Sequence, residues 1–195
     1  MFPVVPVFTM RKLLLLLLML AAPVAIHGED WPEIRGTGRL GVWNEPGILE
    51  KFPASGLKVL WRTPLKAGFS GPSVVNGRVF VMDFTETGRL RGTERALALD
   101  EKTGKILWTR EWPVNYRGMS YALGPRATPT VDGDRVYFAG ADGKLFCLNA
   151  ATGTTVWNKD YAVDYGADRA KWGWDWGFAS APLVDGDRLI ALVGG

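Results

Sequence analysis

Apolar positions along this chain alternate with polar ones in short runs, and the runs come back. Leu97 and Leu99 alternate with Ala98 and Asp100, Thr103-Gly104 interrupts the run, and Lys105-Ile106-Leu107-Trp108 resumes it. That pattern predicts a strand, a tight turn using a glycine at positive φ, and a second strand. The same shape returns from Cys147 to Trp157, which places Trp157 49 residues after Trp108. A partial copy, Leu57 to Trp61, lies 47 residues upstream of Trp108. A second phrase is interleaved with the first. Pro72 to Val81, Pro129 to Phe138 and Pro182 to Ala191 each hold a β-branched or aliphatic run, an Asn-Gly or Asp-Gly turn, and another such run. Each predicts a β-hairpin. Two hairpins per unit make four strands, and four-stranded units recurring every ~40–50 residues are the signature of propeller blades.

The phrase from Ala98 through Asp100, Thr103, Gly104 and Lys105 to Trp108 resembles the tryptophan-docking motif of the secreted bacterial quinoprotein-like (PQQ-repeat) β-propellers. The copy ending at Trp157 departs from it, with Cys147, Asn149 and Thr154 at the Ala, Asp and Lys positions. The resemblance implies an all-β fold of four-stranded antiparallel blades, part of a seven- or eight-bladed ring. On this reading residues 70–111 and 126–160 are blades, and 179–195 begin an incomplete third. Residues 57–64 match the last strand of a blade, so they are expected to complete a blade begun near a far C-terminus. Two and a half blades cannot close a ring, because propellers need ~4–8. The sequence therefore reads as the N-terminal fragment of a longer propeller, with an open arc closing by self-association as the alternative.

Residues 1–28 stand apart. Arg11-Lys12, the apolar run Leu13–Leu20 and the small residues that follow read as a secretory signal peptide, too short for a transmembrane helix. This predicts a periplasmic or secreted protein that does not span a membrane after cleavage. Its loss lowers the net charge from +3 to +1, and no basic cluster follows, which argues against nucleic-acid binding. The single histidine, His27, sits beside the expected cleavage point. Histidine-dependent triads and most zinc sites are therefore excluded from the mature segment. Cys147 is the sole cysteine, placed in a predicted strand as a small hydrophobe. Residues 29–56 form an extended, turn-rich lead. Trp31-Pro32 with Arg35-Gly36 resembles the segment that precedes the first blade in many secreted relatives, and no chemistry is assigned to it.

Trp61, Trp108 and Trp157 occupy one equivalent position, and recurrence in every unit argues for packing between blades. In an up-and-down blade the first and third turns emerge at one end, the remaining connections at the other. The short turns here are all of the first kind. The long connections, residues 84–94, 112–125 and 161–178, are expected together on the opposite face. Long loops on a rigid scaffold carry function. Tyr116, Arg117, Tyr121, Arg126, Trp174, Asp175 and Trp176 are the candidate binding residues there, since exposed Trp, Tyr and Arg dominate hot spots. The competing reading is that the same rings pack the loops onto the blades. No catalytic residue and no metal ligand set stands out.

Three functions remain open. The first is a non-catalytic scaffold that binds protein or cell-envelope partners, with no cofactor expected. The second, implied by the resemblance, is a quinoprotein dehydrogenase oxidising an alcohol or sugar with PQQ and calcium, where Arg117, Arg126 and Asp175 reach the tricarboxylic quinone. The third is a sensor or accessory propeller within a multidomain protein.

Overall fold

The structure is a computed structural model that describes residues 28–119, 123–167 and 176–194. Residues 1–27 of the leader and Tyr121, Trp174 and Asp175 lie outside the described residues. Among the described residues, ten strands form three antiparallel sheets with only short connections inside each. The first sheet joins β1 (Ser73–Val75), β2 (Arg78–Gly88), β3 (Arg91–Asp100) and β4 (Ile106–Asn115) in sequence order. The second joins β5 (Thr130–Asp132), β6 (Arg135–Ala139), β7 (Lys144–Asn149) and β8 (Thr155–Asp160). A pair, β9 (Leu183–Asp185) and β10 (Arg188–Ile190), starts a third. This is β-propeller architecture.

The alternation of side chains builds the core between sheets. Phe80, Met82 and Phe84 of β2, with Ala96 and Ala98 of β3, pack against Val136, Phe138 and Leu148 of the second sheet. Val81, Leu97 and Leu99 point to the other face of the first sheet. Successive residues face opposite sides of a strand, so both faces of a blade must be apolar. Sheets also meet edge to edge: β1 contacts β5, and β5 contacts β9. These first strands are the innermost, around the propeller axis. The Ser73 hydroxyl donates to the Pro129 carbonyl at 2.5 Å and Thr130 donates to Pro182 at 2.6 Å. Each innermost strand is thereby tied to the next.

The repeated phrase has a concrete role. Asp100 Oδ1 accepts from the Thr103 backbone N and hydroxyl at 2.8 and 2.7 Å, and Asn149 does the same for Thr152 at 3.0 and 3.1 Å. The turn then closes on Gly104 and Gly153, at φ 69° and 71°. Against Gly104 lies Trp61, whose Nε1 donates to the Glu101 carbonyl at 2.7 Å. Against Gly153 lies Trp108, donating to Ala150 at 3.1 Å. A register shift falls at the same point in both sheets, between Ala98/Leu99 and between Cys147/Leu148. These bulges immediately precede Trp108 and Trp157 and re-aim the strand there.

Two expectations change. Residues 84–94 are not a long connection: β2 and β3 stay paired from Arg78↔Asp100 to Gly88↔Arg91. The Thr85, Thr93 and Arg95 positions continue the extended alternation, so the hairpin grows outward and turns at Arg89-Leu90. Likewise β4 runs on to Asn115, which puts Trp112 in a strand. The segment 57–64, expected to pair with strands beyond this chain, rests through Trp61 and Thr63 on the β3–β4 turn. A short helix, α1 (Tyr161–Tyr165), follows β8, capped by Asp160 and ended by Gly166 at φ 67°.

Candidate functional site

The β2–β3 turn, the residues after β4 and β8, and the approaches to β5 and β9 emerge at one end of the sheets. There the chain enters its innermost strands through Phe69, Arg126 and Ala179, each three residues before the proline that opens the strand phrase (Pro72, Pro129, Pro182). Phe69 is 54% exposed although its backbone is anchored by donation to the Pro125 carbonyl at 2.8 Å. The Arg126 guanidinium stands 5.8 Å from its ring centroid. Arg126 is half-buried, and its Nη1 donates to the Gly124 carbonyl. Burial lowers its pKa, opposed by the Tyr116 and Glu94 charges. An arginine held beside an exposed ring suits a planar anion: the guanidinium pairs with a carboxylate while the ring covers apolar surface.

Behind it lies a group that sequence reading missed. Glu94 of β3 is fully buried. Its carboxylate accepts from Trp112 Nε1 at 3.0 Å, from the Tyr116 hydroxyl, and from the Ala141 backbone N of the next blade at 3.0 Å. Burial, then the Asp142 charge, push its pKa up from 4.5 to about 7, and the three hydrogen bonds only partly offset that. Burial and the neighbouring Glu94 raise the Tyr116 phenol in turn. Asp142 pairs with Lys144 Nζ at 2.7 Å. The available signal was positional: Glu94 shares the inward register of Ala96 and Ala98, where only a satisfied carboxylate is tolerated.

The sequence candidates therefore divide. Tyr116 is wholly buried and faces Glu94 rather than solvent. Arg117 is exposed, its backbone N donating to Asn115 Oδ1 at 3.1 Å. Trp176 is 56% exposed. Of the set, the structure places Arg126 beside a partner, Phe69, that the sequence reading did not single out.

A family model for the PQQ_2 family, described as outer membrane protein assembly factor BamB, matches residues 36–194. The chain belongs to that family. Over 69 residues it is 39% identical to a quinoprotein ethanol dehydrogenase of Pseudomonas putida, a match covering 34% of this chain and 11% of the relative. A quinoprotein ethanol dehydrogenase of Pseudomonas aeruginosa is 40% identical over 75 residues, 37% of this chain and 12% of the relative. The chain thus spans about a tenth of the curated relatives it matches. The quinohemoprotein alcohol dehydrogenase of Comamonas testosteroni superposes with a TM-score of 0.57 at 20% identity, over 83% of this chain and 23% of that one. That likeness concerns the fold. For a PQQ-repeat chain the fit of quinone and calcium is a fair question. Arg126 offers a cation to a quinone carboxylate, but among the described residues no three His, Cys, Asp or Glu side chains converge. Among the described residues no carboxylate cage for a divalent metal forms.

Proposed function

We propose that the protein is a periplasmic or secreted PQQ-repeat propeller that acts as a non-catalytic binding module, taking an anionic protein or cell-envelope partner at its long-connection end. The observation that carries this reading is the pairing of half-buried Arg126 with exposed Phe69 at the mouth of the innermost strands. The buried Glu94–Tyr116–Trp112 network gives that mouth a rigid floor instead of a mobile loop. Leader-directed export accounts for the periplasmic or secreted location, and among the described residues no helix is long and apolar enough to cross a membrane.

The dehydrogenase reading keeps one specific support, the match to quinoprotein ethanol dehydrogenases. The two readings separate by titration of the intact protein. Peptidoglycan fragments with free carboxylates and an acidic peptide test the first; PQQ with calcium, followed by absorbance, tests the second. Arg126→Ala is expected to weaken the anionic partner roughly 10–100-fold, the range for losing a charged hydrogen bond. Equal binding by parent and variant refutes the assignment of Arg126. Tight PQQ uptake with dye-linked ethanol oxidation would replace the scaffold reading with the enzyme.

A further inference from the structure

The lead before the first blade makes contacts that a mere linker does not need. Trp31 and Val74 exchange both backbone hydrogen bonds, at 2.7 and 2.9 Å. The Val131 N–H donates to the Pro32 carbonyl at 2.8 Å. Arg39 donates through Nη2 to the Pro182 carbonyl at 2.7 Å and to Ala181 at 3.4 Å. Val74 belongs to β1, Val131 to β5, and Pro182 directly precedes β9. Within nine residues the lead therefore touches the innermost strands of two consecutive units and the approach to that of a third.

The side of contact matters. In the order β1-β2-β3-β4 one edge of β1 is taken by β2, so the edge that pairs with Trp31 is the one facing the axis. The same holds for β5. The lead thus runs along the axial edges of these strands, from the β1–β2 turn, where the Asn76 N–H donates to Asp30 Oδ1 at 3.1 Å, to the approach to β9. Its shape is built rather than incidental. Glu33 holds Arg39 Nε at 2.7 Å, and Gly36, at φ 75°, sits so close to the Trp31 ring that a Cβ would lie 2.6 Å from it.

We infer that residues 31–39 are an axial strap, which caps the free edges of β1 and β5 and reaches the approach to β9. Unpaired edges invite pairing with other chains, and the strap removes that option at the axis. This inference stands independently of what the protein binds.

Hydrogen exchange on the intact protein tests it. In the parent, the Val74 and Val131 amides exchange as slowly as those inside the sheets. Arg39→Ala removes the anchor at the third unit and speeds both amides at least about tenfold, as the loss of a charged hydrogen bond would, while Val81 and Leu97 keep their rates. Glu33→Gln leaves Arg39 in place without its partner and gives a smaller change at the same two amides. Fast exchange of Val74 and Val131 in the parent overturns the strap, as do unchanged rates in both variants. Should Arg39→Ala loosen every strand alike, Glu33→Gln decides. Acceleration confined to Val74 and Val131 supports the strap, and none overturns it.

Discussion

Gly153→Ala probes the joint between blades with a built-in control. A Cβ on Gly153 meets the Trp108 ring at 2.6 Å, with φ at 71°. Gly133, in the β5–β6 turn of the same blade, has φ 56° and nothing within 4 Å of the added carbon. Both alanines carry the left-handed backbone penalty, about 1–2 kcal/mol. Only Gly153→Ala also overpacks the docked ring, for roughly 1–3 kcal/mol more. Guanidinium unfolding of the intact protein, followed by far-UV circular dichroism, reads the difference as a midpoint shift at constant slope. The cycle is closed with Trp108→Ala, which removes the ring and its donation to the Ala150 carbonyl. In that background Gly153→Ala should cost no more than Gly133→Ala. Coupling between residues 108 and 153 is therefore expected at about 1–3 kcal/mol. Coupling under roughly 0.5 kcal/mol, the scatter for independent sites, would refute tryptophan docking as a source of stability.

Glu94 gives a pH signature. Its folded pKa of about 7 exceeds the ordinary 4.5, so the folded chain holds the extra proton between those values. Stability from this group falls as pH rises from about 4.5 to 7 and is level above, by roughly 3 kcal/mol in all. The midpoint difference between parent and Glu94→Gln should change over that window; a constant difference from pH 5 to 8 would contradict it. Trp112→Phe strips a donor from the buried carboxylate and should cost about 1–3 kcal/mol, with the Glu94 transition moved to higher pH; an unmoved transition counts against the network. Thr130→Val removes the donor to Pro182 and should cost roughly 1 kcal/mol, measured by the same unfolding assay, and no loss would mean the tie between innermost strands contributes nothing.

Much of the fold was legible in the sequence because its signals are local. Asp100 to Gly104 and Asn149 to Gly153 form their turns from hydrogen bonds within five residues. The Asn-Gly and Asp-Gly hairpins need only backbone geometry, and recurrence made each reading support the next. Element ends were less legible. Continued pairing of β2 with β3 to Arg91 depends on the partner strand, which local composition does not report.

The site was hardest to read, since its parts meet only in three dimensions. Arg126 stood out as a cation in a long connection, but Phe69 lies 57 residues earlier, and only the convergence of innermost strands sets them side by side. Tyr116 looked like a loop aromatic; the hydrogen bond to Glu94, 22 residues away, buries it. The lead carried turn signals alone, and its passage across β1, β5 and Pro182 rests on backbone groups that every residue has. Sequence by itself determined the repeat and its turns, because periodic side-chain chemistry encodes them. Tertiary structure decided which carboxylate is buried, which ring is exposed and where the lead runs, because burial and edge pairing are properties of neighbours distant along the chain.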